Sequence, residues 1–296
     1  MILIRSLLFI PAIQPRFIER GPNAGADVLC LDMEDSVPAG EKQRARDALK
    51  ETVPNIPRTG YLLFVRVNGL DTGLLEEDLM SVVWPGLDGI SLPKAVSADY
   101  VKRVDSYLTL LEKQRGMQAG QVKLIPWIES AIGVYKALEI CTSSPRLLGV
   151  SFGAEDFTID MGVQRTAGGA EVAWAKSAVA VACRAAGLQP IDTPTMDFRD
   201  MSRLESDSLH SKSLGYRGKY CIHPDQVPVV NRLFAPSDDD ITAAKRIIEV
   251  YEEAEERGVG AVGMDGQVVD WPIYVRAKQL LEWAEAATSN QNNTRE

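Results

Sequence analysis

Eight short apolar runs, each followed by a longer stretch with helical spacing, constrain this chain more than any other feature. The runs are Ser6–Ile10, Val28–Asp32, Leu62–Val67, Gly89–Leu92, Lys123–Ile128, Leu147–Phe152, Pro190–Asp192 and Gly218–Ile222. They are nearly continuous in apolar residues rather than alternating, which is the pattern of parallel strands covered on both faces. Helical patterns fill the gaps. Glu41–Glu51 puts Ala45, Ala48 and Leu49 on one face, and Ala98–Arg115 spaces Val101, Val104, Leu108 and Leu111 by three and four residues. The Ala/Val-rich stretch Ala170–Ala186, stopped by Gly187, reads as a largely buried helix against the sheet. Eight strand–helix alternations in roughly 250 residues predict an α/β fold, a (β/α)8 TIM barrel. A doubly wound open sheet is the alternative. It loses support because no Gly-x-Gly-x-x-Gly turn follows the first strand and no Gly-Lys-Ser/Thr occurs.

Beyond the eighth run the pattern changes. Phe234-Ala235-Pro236-Ser237-Asp238-Asp239-Asp240 is a break, with a Ser/Asp run suited to capping a helix from about Ile241 to Arg257. Gly258–Asp270 reads as a two-stranded hairpin turning at Asp265-Gly266, and a last helix runs from Pro272 to about Ala287. The expected organisation is a catalytic barrel over 1–236, a helix–hairpin–helix appendage over 237–287 and a polar, disordered tail over 288–296.

Composition excludes several classes. With 45% hydrophobic and 25% charged residues the chain is a soluble globular type, and no eighteen-residue apolar stretch suits a membrane span. The apolar start, Met1–Pro11, lacks a preceding basic region and a small-residue cleavage site, so it reads as the first core strand. The net charge of −9 disfavours a nucleic-acid partner. Cys30, Cys141, Cys183 and Cys221 form no Cys-x-x-Cys pair, which fits reduced thiols in the cytoplasm and argues against structural zinc.

In a barrel the carboxyl ends of the strands meet at one mouth, where active sites sit. Here they carry Asp32, Glu34 and Asp35, then Arg66 and Asn68, Lys94, Glu129, Glu155 and Asp156, Asp192, and finally His223 and Asp225. Strands five and six end Pro126-Trp127-Ile128-Glu129-Ser130 and Gly153-Ala154-Glu155-Asp156-Phe157. Neighbouring strands lie about 4.8 Å apart, so their carboxylates can reach one ion. An all-oxygen donor set suits Mg2+, or Mn2+, whose octahedron leaves room for water and a chelating oxo acid. The planar fork of Arg66 suits a two-point clamp on a substrate carboxylate. Plainer readings stand beside these. Glu155 and Asp156 could cap the following helix, Glu129 could pair with Arg66, Asp35 and Asp225 read as helix caps, and His223 as a hydrogen-bonding strut. Lys94 as an imine former is a weak reading, and the tryptophans read as core or interface.

The motifs Arg5-Ser6-Leu7-Leu8-Phe9-Ile10-Pro11-Ala12, Leu31-Asp32-Met33-Glu34-Asp35-Ser36-Val37, Val65-Arg66-Val67-Asn68 and Leu92-Pro93-Lys94 occur in order. Ile128-Glu129-Ser130, Phe152–Phe157 and Lys219-Tyr220-Cys221-Ile222-His223-Pro224-Asp225-Gln226 follow. The set resembles the citrate lyase β-subunit-like proteins of the HpcH/HpaI aldolase/citrate lyase superfamily, across almost the whole chain. The resemblance implies a TIM barrel that uses Mg2+ to make or break a carbon–carbon bond in a β-hydroxyacyl-CoA of the citramalyl, malyl or citryl type. It implies Glu129 and Asp156 as metal ligands, Arg66 as carboxylate clamp, and backbone groups of Gly153, Ala154 and Glu155 lining the oxo-acid site. Lys94 and Asn68 are expected beside the substrate. It further implies a homotrimer or hexamer in which Asp270 completes the catalytic site of a neighbouring subunit. Two alternatives stay open: a CoA-independent 2-oxo-acid aldolase, and a citrate lyase β subunit that works only with an acyl carrier partner. One departure is Pro11-Ala12, where the family motif ends Pro-Gly.

Overall fold

The apolar runs become strands β1 Ser6–Pro11, β2 Val28–Asp32, β3 Leu62–Arg66, β4 Gly89–Leu92, β5 Lys123–Ile128, β6 Gly149–Phe152, β7 Gln189–Asp192 and β8 Gly218–Cys221. In this computed structural model, which describes residues 3–58 and 60–293 (the backbone only for 287–293), they close into a barrel in sequence order. Every pairing is parallel, including β1 with β8. Around it stand α1 Pro15–Arg20, α2 Lys42–Asn55, α3 Leu75–Val82, α4 Ala98–Gln114, α5 Ala131–Tyr135, α6 Ala137–Cys141, α7 Ala154–Asp160, α8 Ala170–Ala185, α9 Met201–Ser213 and α10 Gln226–Phe234. Strand ends match the expectation to within a residue or two. β6 starts late because Leu147 makes only an isolated bridge to Leu124.

Successive side chains on a strand point to opposite faces. Leu7, Val28, Cys30, Phe64, Ile125, Trp127, Ile191 and Tyr220 point inward and form one buried cluster. Their neighbours Leu8, Leu29, Leu31, Leu63, Val65, Leu124 and Val150 point outward into the larger core beneath the helices. Near the mouth the interior is closed by aromatic rings. Phe9 stacks on Tyr220 at 4.5 Å, and Trp127 packs against Tyr220 at 4.4 Å. Ser91 Oγ accepts from Trp127 Nε1 at 2.7 Å and shares a 3.1 Å hydrogen bond with the Tyr220 hydroxyl. The polar tips of this layer are therefore satisfied within it.

The expectation that Ala170–Ala186 is largely buried needs correction. Val172, Ala175, Val179 and Cys183 of α8 are core, but Trp174 and Val181 are 64% and 69% exposed. The four cysteines are free and buried. No helix among the described residues is long and apolar enough to cross a membrane.

After the barrel come α11 Asp238–Glu256, β9 Ala261–Met264, β10 Gln267–Asp270 and α12 Trp271–Asn293. Ser237 and Asp240 make a reciprocal capping box at the start of α11. β9 and β10 pair antiparallel around Asp265-Gly266, with φ of 50° and 79°. Two consecutive positive φ values define the tight hairpin turn that favours Asp-Gly. Tyr251, Val269 and Tyr274 make a small core of their own, and the Arg217 guanidinium lies 3.9 Å from the Trp283 ring. α12 continues past the expected end at Ala287, to Asn293, and 294–296 lie outside the described residues.

One buried ion pair ties three elements. Arg146, just before β6, donates to Glu112 Oε1 and Oε2 of α4 at 2.8 and 2.7 Å and to the Val122 carbonyl at 2.8 Å. Glu112 also accepts the Gly120 and Val122 amides. Arg146→Ala would leave Glu112 charged and out of water. It is expected to cost about 3 kcal/mol or more in urea unfolding; a loss under about 1 kcal/mol would mean the pair behaves like a surface bridge.

Candidate active site

Strand parity places the charged residues above the aromatic layer. Asp32 follows Val28 and Cys30, Arg66 follows Leu62 and Phe64, and Glu129 follows Ile125 and Trp127, so all three continue inward-facing series. The Arg66 guanidinium rests on the Phe9 ring at 4.4 Å. Asp32 is its register partner across β2 and β3.

That neighbour changes the expected clamp. Arg66 Nε and Nη2 donate to Asp32 Oδ1 and Oδ2 at 2.6 and 2.8 Å, so the two-point geometry is already taken by a protein carboxylate. Nη1 faces Glu34 at 3.1 Å and Asp35 at 3.2 Å. Arg66 therefore does not pair with Glu129, and Asp35 is an Arg66 partner rather than a helix cap. Burial alone would raise the Asp32 pKa, but the charge and hydrogen bonds of Arg66 hold it below the ordinary value. Glu34 is pushed up to about 8, first by burial and then by Asp35 and Asp32, against the pull of Arg66.

Glu129 is 7% exposed. Its Oε1 accepts the Lys94 amide at 2.6 Å, an approach that holds Lys94 at φ 52°, the left-handed region unfavourable to a side-chain-bearing residue. On the other side, a Cβ at Gly153 would stand 2.3 Å from Glu129 Oε2, so only glycine fits there. The Gly153 amide itself donates to the Ile128 carbonyl at 3.0 Å, which sets the start of α7 beside Glu129. Glu129 is pushed well above the usual carboxylate range by burial first, then by the charges of Asp156 and Glu34. Asp156, half-buried in the first turn of α7, is raised by burial and by Asp35.

Other expected contributors fall differently. Asn68 is buried, its amide donating to Asp78 Oδ2 at 2.6 Å and its carbonyl accepting from Lys42 Nζ at 2.6 Å, so it braces the loops. Lys42 Nζ also binds the Met33 and Glu34 carbonyls, fixing the loop that carries Glu34. Lys94 Nζ bonds Asp71 at 3.2 Å, and this outweighs burial to raise its pKa, which keeps the amine charged and unsuited to imine formation. The Gly153 and Ala154 amides are spent on Ile128 and Thr193; the Glu155 amide, in the first turn of α7, has no intrahelical acceptor. The Glu155 carboxylate turns to Arg165. Asp192 leaves the mouth altogether: next to inward Ile191, it points outward to Lys176 and Lys219. His223 is a strut, accepting the Asp225 amide at 3.2 Å and stacking on Phe198, while Asp225 makes no side-chain cap. Ala12 is fully buried, its amide bonded to the Asp32 carbonyl. Asp270 sits in the appendage, its carboxylate accepting the Ile273 amide at 3.3 Å, and no hydrogen bond among the described residues joins it to Glu129, Asp156 or Arg66. Two surface grooves, of about 280 and 510 Å3, lie between α3 and α4 and beside α1 and α2, and neither is lined by Glu129, Asp156 or Arg66.

The mouth thus gathers Asp32, Glu34, Asp35, Glu129 and Asp156 against the cations Arg66 and Lys94. A buried carboxylate that accepts a single amide, beside a second one raised by its surroundings, suits a divalent cation with oxygen preference. Among the described residues no three His, Cys, Asp or Glu side chains are arranged to hold an ion, so Glu129 and Asp156 are the pair to consider.

Known proteins carry the same architecture. The profile of the HpcH/HpaI aldolase/citrate lyase family matches residues 5–224. The chain belongs to this family. The citrate lyase subunit beta of Leuconostoc mesenteroides subsp. cremoris is 35% identical over 95% of this chain and 93% of its own. The L-malyl-CoA/beta-methylmalyl-CoA lyase of Rhodobacter capsulatus is 35% identical over 96% and 95%. Among solved structures, the Mycobacterium tuberculosis protein CitE in complex with magnesium, acetoacetate and coenzyme A superimposes with TM-score 0.77 at 28% identity, covering 96% of this chain and 98% of that one.

The raised Glu129 pKa makes a stability prediction for the metal-free family member. The unfolded chain loses this proton near the ordinary 4.5, the folded chain only at higher pH, so stability falls as pH rises above 4.5. Glu129→Gln is expected to melt roughly 2 °C or more above the unsubstituted chain at neutral pH without metal, the gap closing toward pH 4.5. An equal or lower melting point at neutral pH would remove the electrostatic strain from this account.

Proposed function

We propose that this chain is a Mg2+-dependent carbon–carbon lyase that cleaves or forms a β-hydroxyacyl-CoA of the citramalyl, malyl or citryl type. The observation that carries the reading is the buried Glu129 carboxylate, seated against Gly153 beside Asp156 at the barrel mouth. The lyase names of the relatives support the reaction class, and the magnesium and coenzyme A in the CitE complex support the cofactor and the thioester. Glu129 and Asp156 would hold the cation, with Mn2+ an acceptable substitute. Bound there, the ion supplies Lewis acidity to the hydroxyl and carboxylate of the acid half, a contribution of several kcal/mol.

The chain's own residues supply the rest. Arg66, permanently charged, presents its Nη1 edge toward the mouth, and Asp35, whose side chain is 71% exposed, can yield that edge to a substrate carboxylate. The Glu155 amide at the start of α7 adds a donor for the oxo acid. Cleavage removes the hydroxyl proton, breaks the carbon–carbon bond and leaves its electron pair on the thioester as an enolate. A proton must then reach the enolate carbon. Asp270 of a neighbouring subunit is the proposed acid–base group, taking the hydroxyl proton and returning it to the enolate carbon, which makes a homotrimer or hexamer part of the active unit. An acid–base group of this kind is worth about 10²- to 10⁴-fold. The buried free thiols suit a cytoplasmic setting.

Relatives are named both as a citrate lyase subunit and as a free-standing CoA lyase. Purified alone, the chain is expected to cleave malyl-CoA or citramalyl-CoA; activity only with an acyl carrier partner would favour the subunit reading, and turnover of free oxo-acid aldols the aldolase reading. Chelation of Mg2+, Glu129→Gln and Asp156→Asn are each expected to abolish turnover, and calorimetry showing wild-type Mg2+ affinity in both variants would refute the ligand assignment. Asp270→Asn should lower kcat about 10²-fold or more while leaving Mg2+ and oxo-acid binding intact; unchanged turnover would end its catalytic role.

A further inference from the structure

The Lys219–Gln226 motif and a buried charge cluster on the outer wall of the barrel have no part in the chemistry described so far. Asp192 ends β7 and binds two ammonium groups, Lys176 Nζ at 2.7 Å on Oδ1 and Lys219 Nζ at 2.7 Å on Oδ2. The three side chains are 9%, 0% and 1% exposed in the order Lys176, Asp192, Lys219. Ser211 of α9 joins them, accepting from Lys176 Nζ at 2.8 Å and donating to Asp192 Oδ2 at 2.7 Å. Two lysines share one buried carboxylate, and burial lowers the Lys176 pKa against the pull of Asp192 and Asp207. Such clusters are no more stabilising than well-packed apolar residues, so stability does not explain this one.

What it does fix is the next residue. Lys219 Nζ also donates to the Thr193 carbonyl at 2.7 Å. The Thr193 hydroxyl in turn accepts the amide of Ala154, the first residue of α7, at 3.4 Å. Asp156 lies two residues further along the same helical turn. Gln226, also fully buried, braces the same loop: its amide donates to the Thr195 carbonyl at 3.0 Å and its Oε1 accepts the Ile222 amide at 2.8 Å. The start of α7 is thereby tethered from two sides, by Gly153 to β5 and by Ala154 to the loop after β7. Glu129 fills the space where a Cβ of residue 153 would stand, so the turn lies close against that carboxylate.

We propose that Lys176, Asp192 and Lys219, acting through Thr193, are positioning residues that set the first turn of α7 and so the separation of Asp156 from Glu129. This rests on the cation site proposed above, and its test reads metal binding directly, without turnover. The probe is Mn2+, titrated into the full-length metal-free protein and followed by electron paramagnetic resonance. Thr193→Val keeps the side-chain shape and removes the acceptor for Ala154; it is expected to weaken Mn2+ binding about tenfold or more, the range for residues that orient metal ligands. Thr193→Ser, which keeps the hydroxyl that accepts the Ala154 amide, is expected to restore it. Lys219→Met should weaken Mn2+ binding in the same direction; should it fail to fold, the Thr193 pair still decides. Wild-type affinity in Thr193→Val, or equal weakening in Thr193→Ser, overturns the positioning role and leaves the cation site standing. No Mn2+ binding by the unsubstituted chain overturns the cation site and this inference with it.

Discussion

The desolvated carboxylate of Glu129 sets the terms for everything around it. A carboxylate held out of water resists ionising unless it is compensated, and the fold gives it one backbone amide. The local sequence is bent to that need: Lys94 takes a left-handed backbone to aim its amide, Gly153 gives up a side chain so that Oε2 has room, and α7 begins where Asp156 can share the same space. Arg66, the nearest strong cation, is held by Asp32 through both forks and is not free to neutralise Glu129. The protein therefore keeps more carboxyl groups than cations at its mouth, and holds their pKa values up until something replaces the proton, which is how a fold reserves a place for a small hard cation.

Most of the barrel could be read from the chain because parallel strands covered on both faces leave short uninterrupted apolar runs, here set apart by longer stretches of helical spacing. The hairpin was legible for a similarly local reason, since Asp265-Gly266 satisfies a turn that few dipeptides can. The identity of the charged neighbours was not. Asp32, Glu34 and Asp35 are close in sequence, and nothing in their spacing tells which faces inward, which outward and which solvent; only the pleat of β2 against β3 makes Asp32 the partner of Arg66. The same pleat carries Asp192 to the wrong side of the wall for chemistry, although it ends a strand as Asp32 does. The bracing by Asn68 was hidden too, because a polar residue after a strand looks available until the residues that fill its hydrogen bonds, Asp78 and Lys42, are seen to come from α3 and α2. Asp270 is a different case. Its position on β10 is local and readable, but a role across subunits has no signature within one chain.

The barrel divides its ionic groups by wall. Inside, acids outnumber bases and the imbalance is open to the mouth. Outside, beneath α8 and α9, two lysines outnumber one aspartate and the imbalance is sealed from water.

The aromatic layer of Phe9, Trp127 and Tyr220 has a topological consequence. It stops the barrel interior like the floor of a cup, and Arg66 lies directly on that floor. A molecule seated on Arg66 has a single way out. On the proposed reading, a thioester fragment lying above an oxo acid on Arg66 would have to leave before the acid could, so depth rather than affinity would set the order of departure.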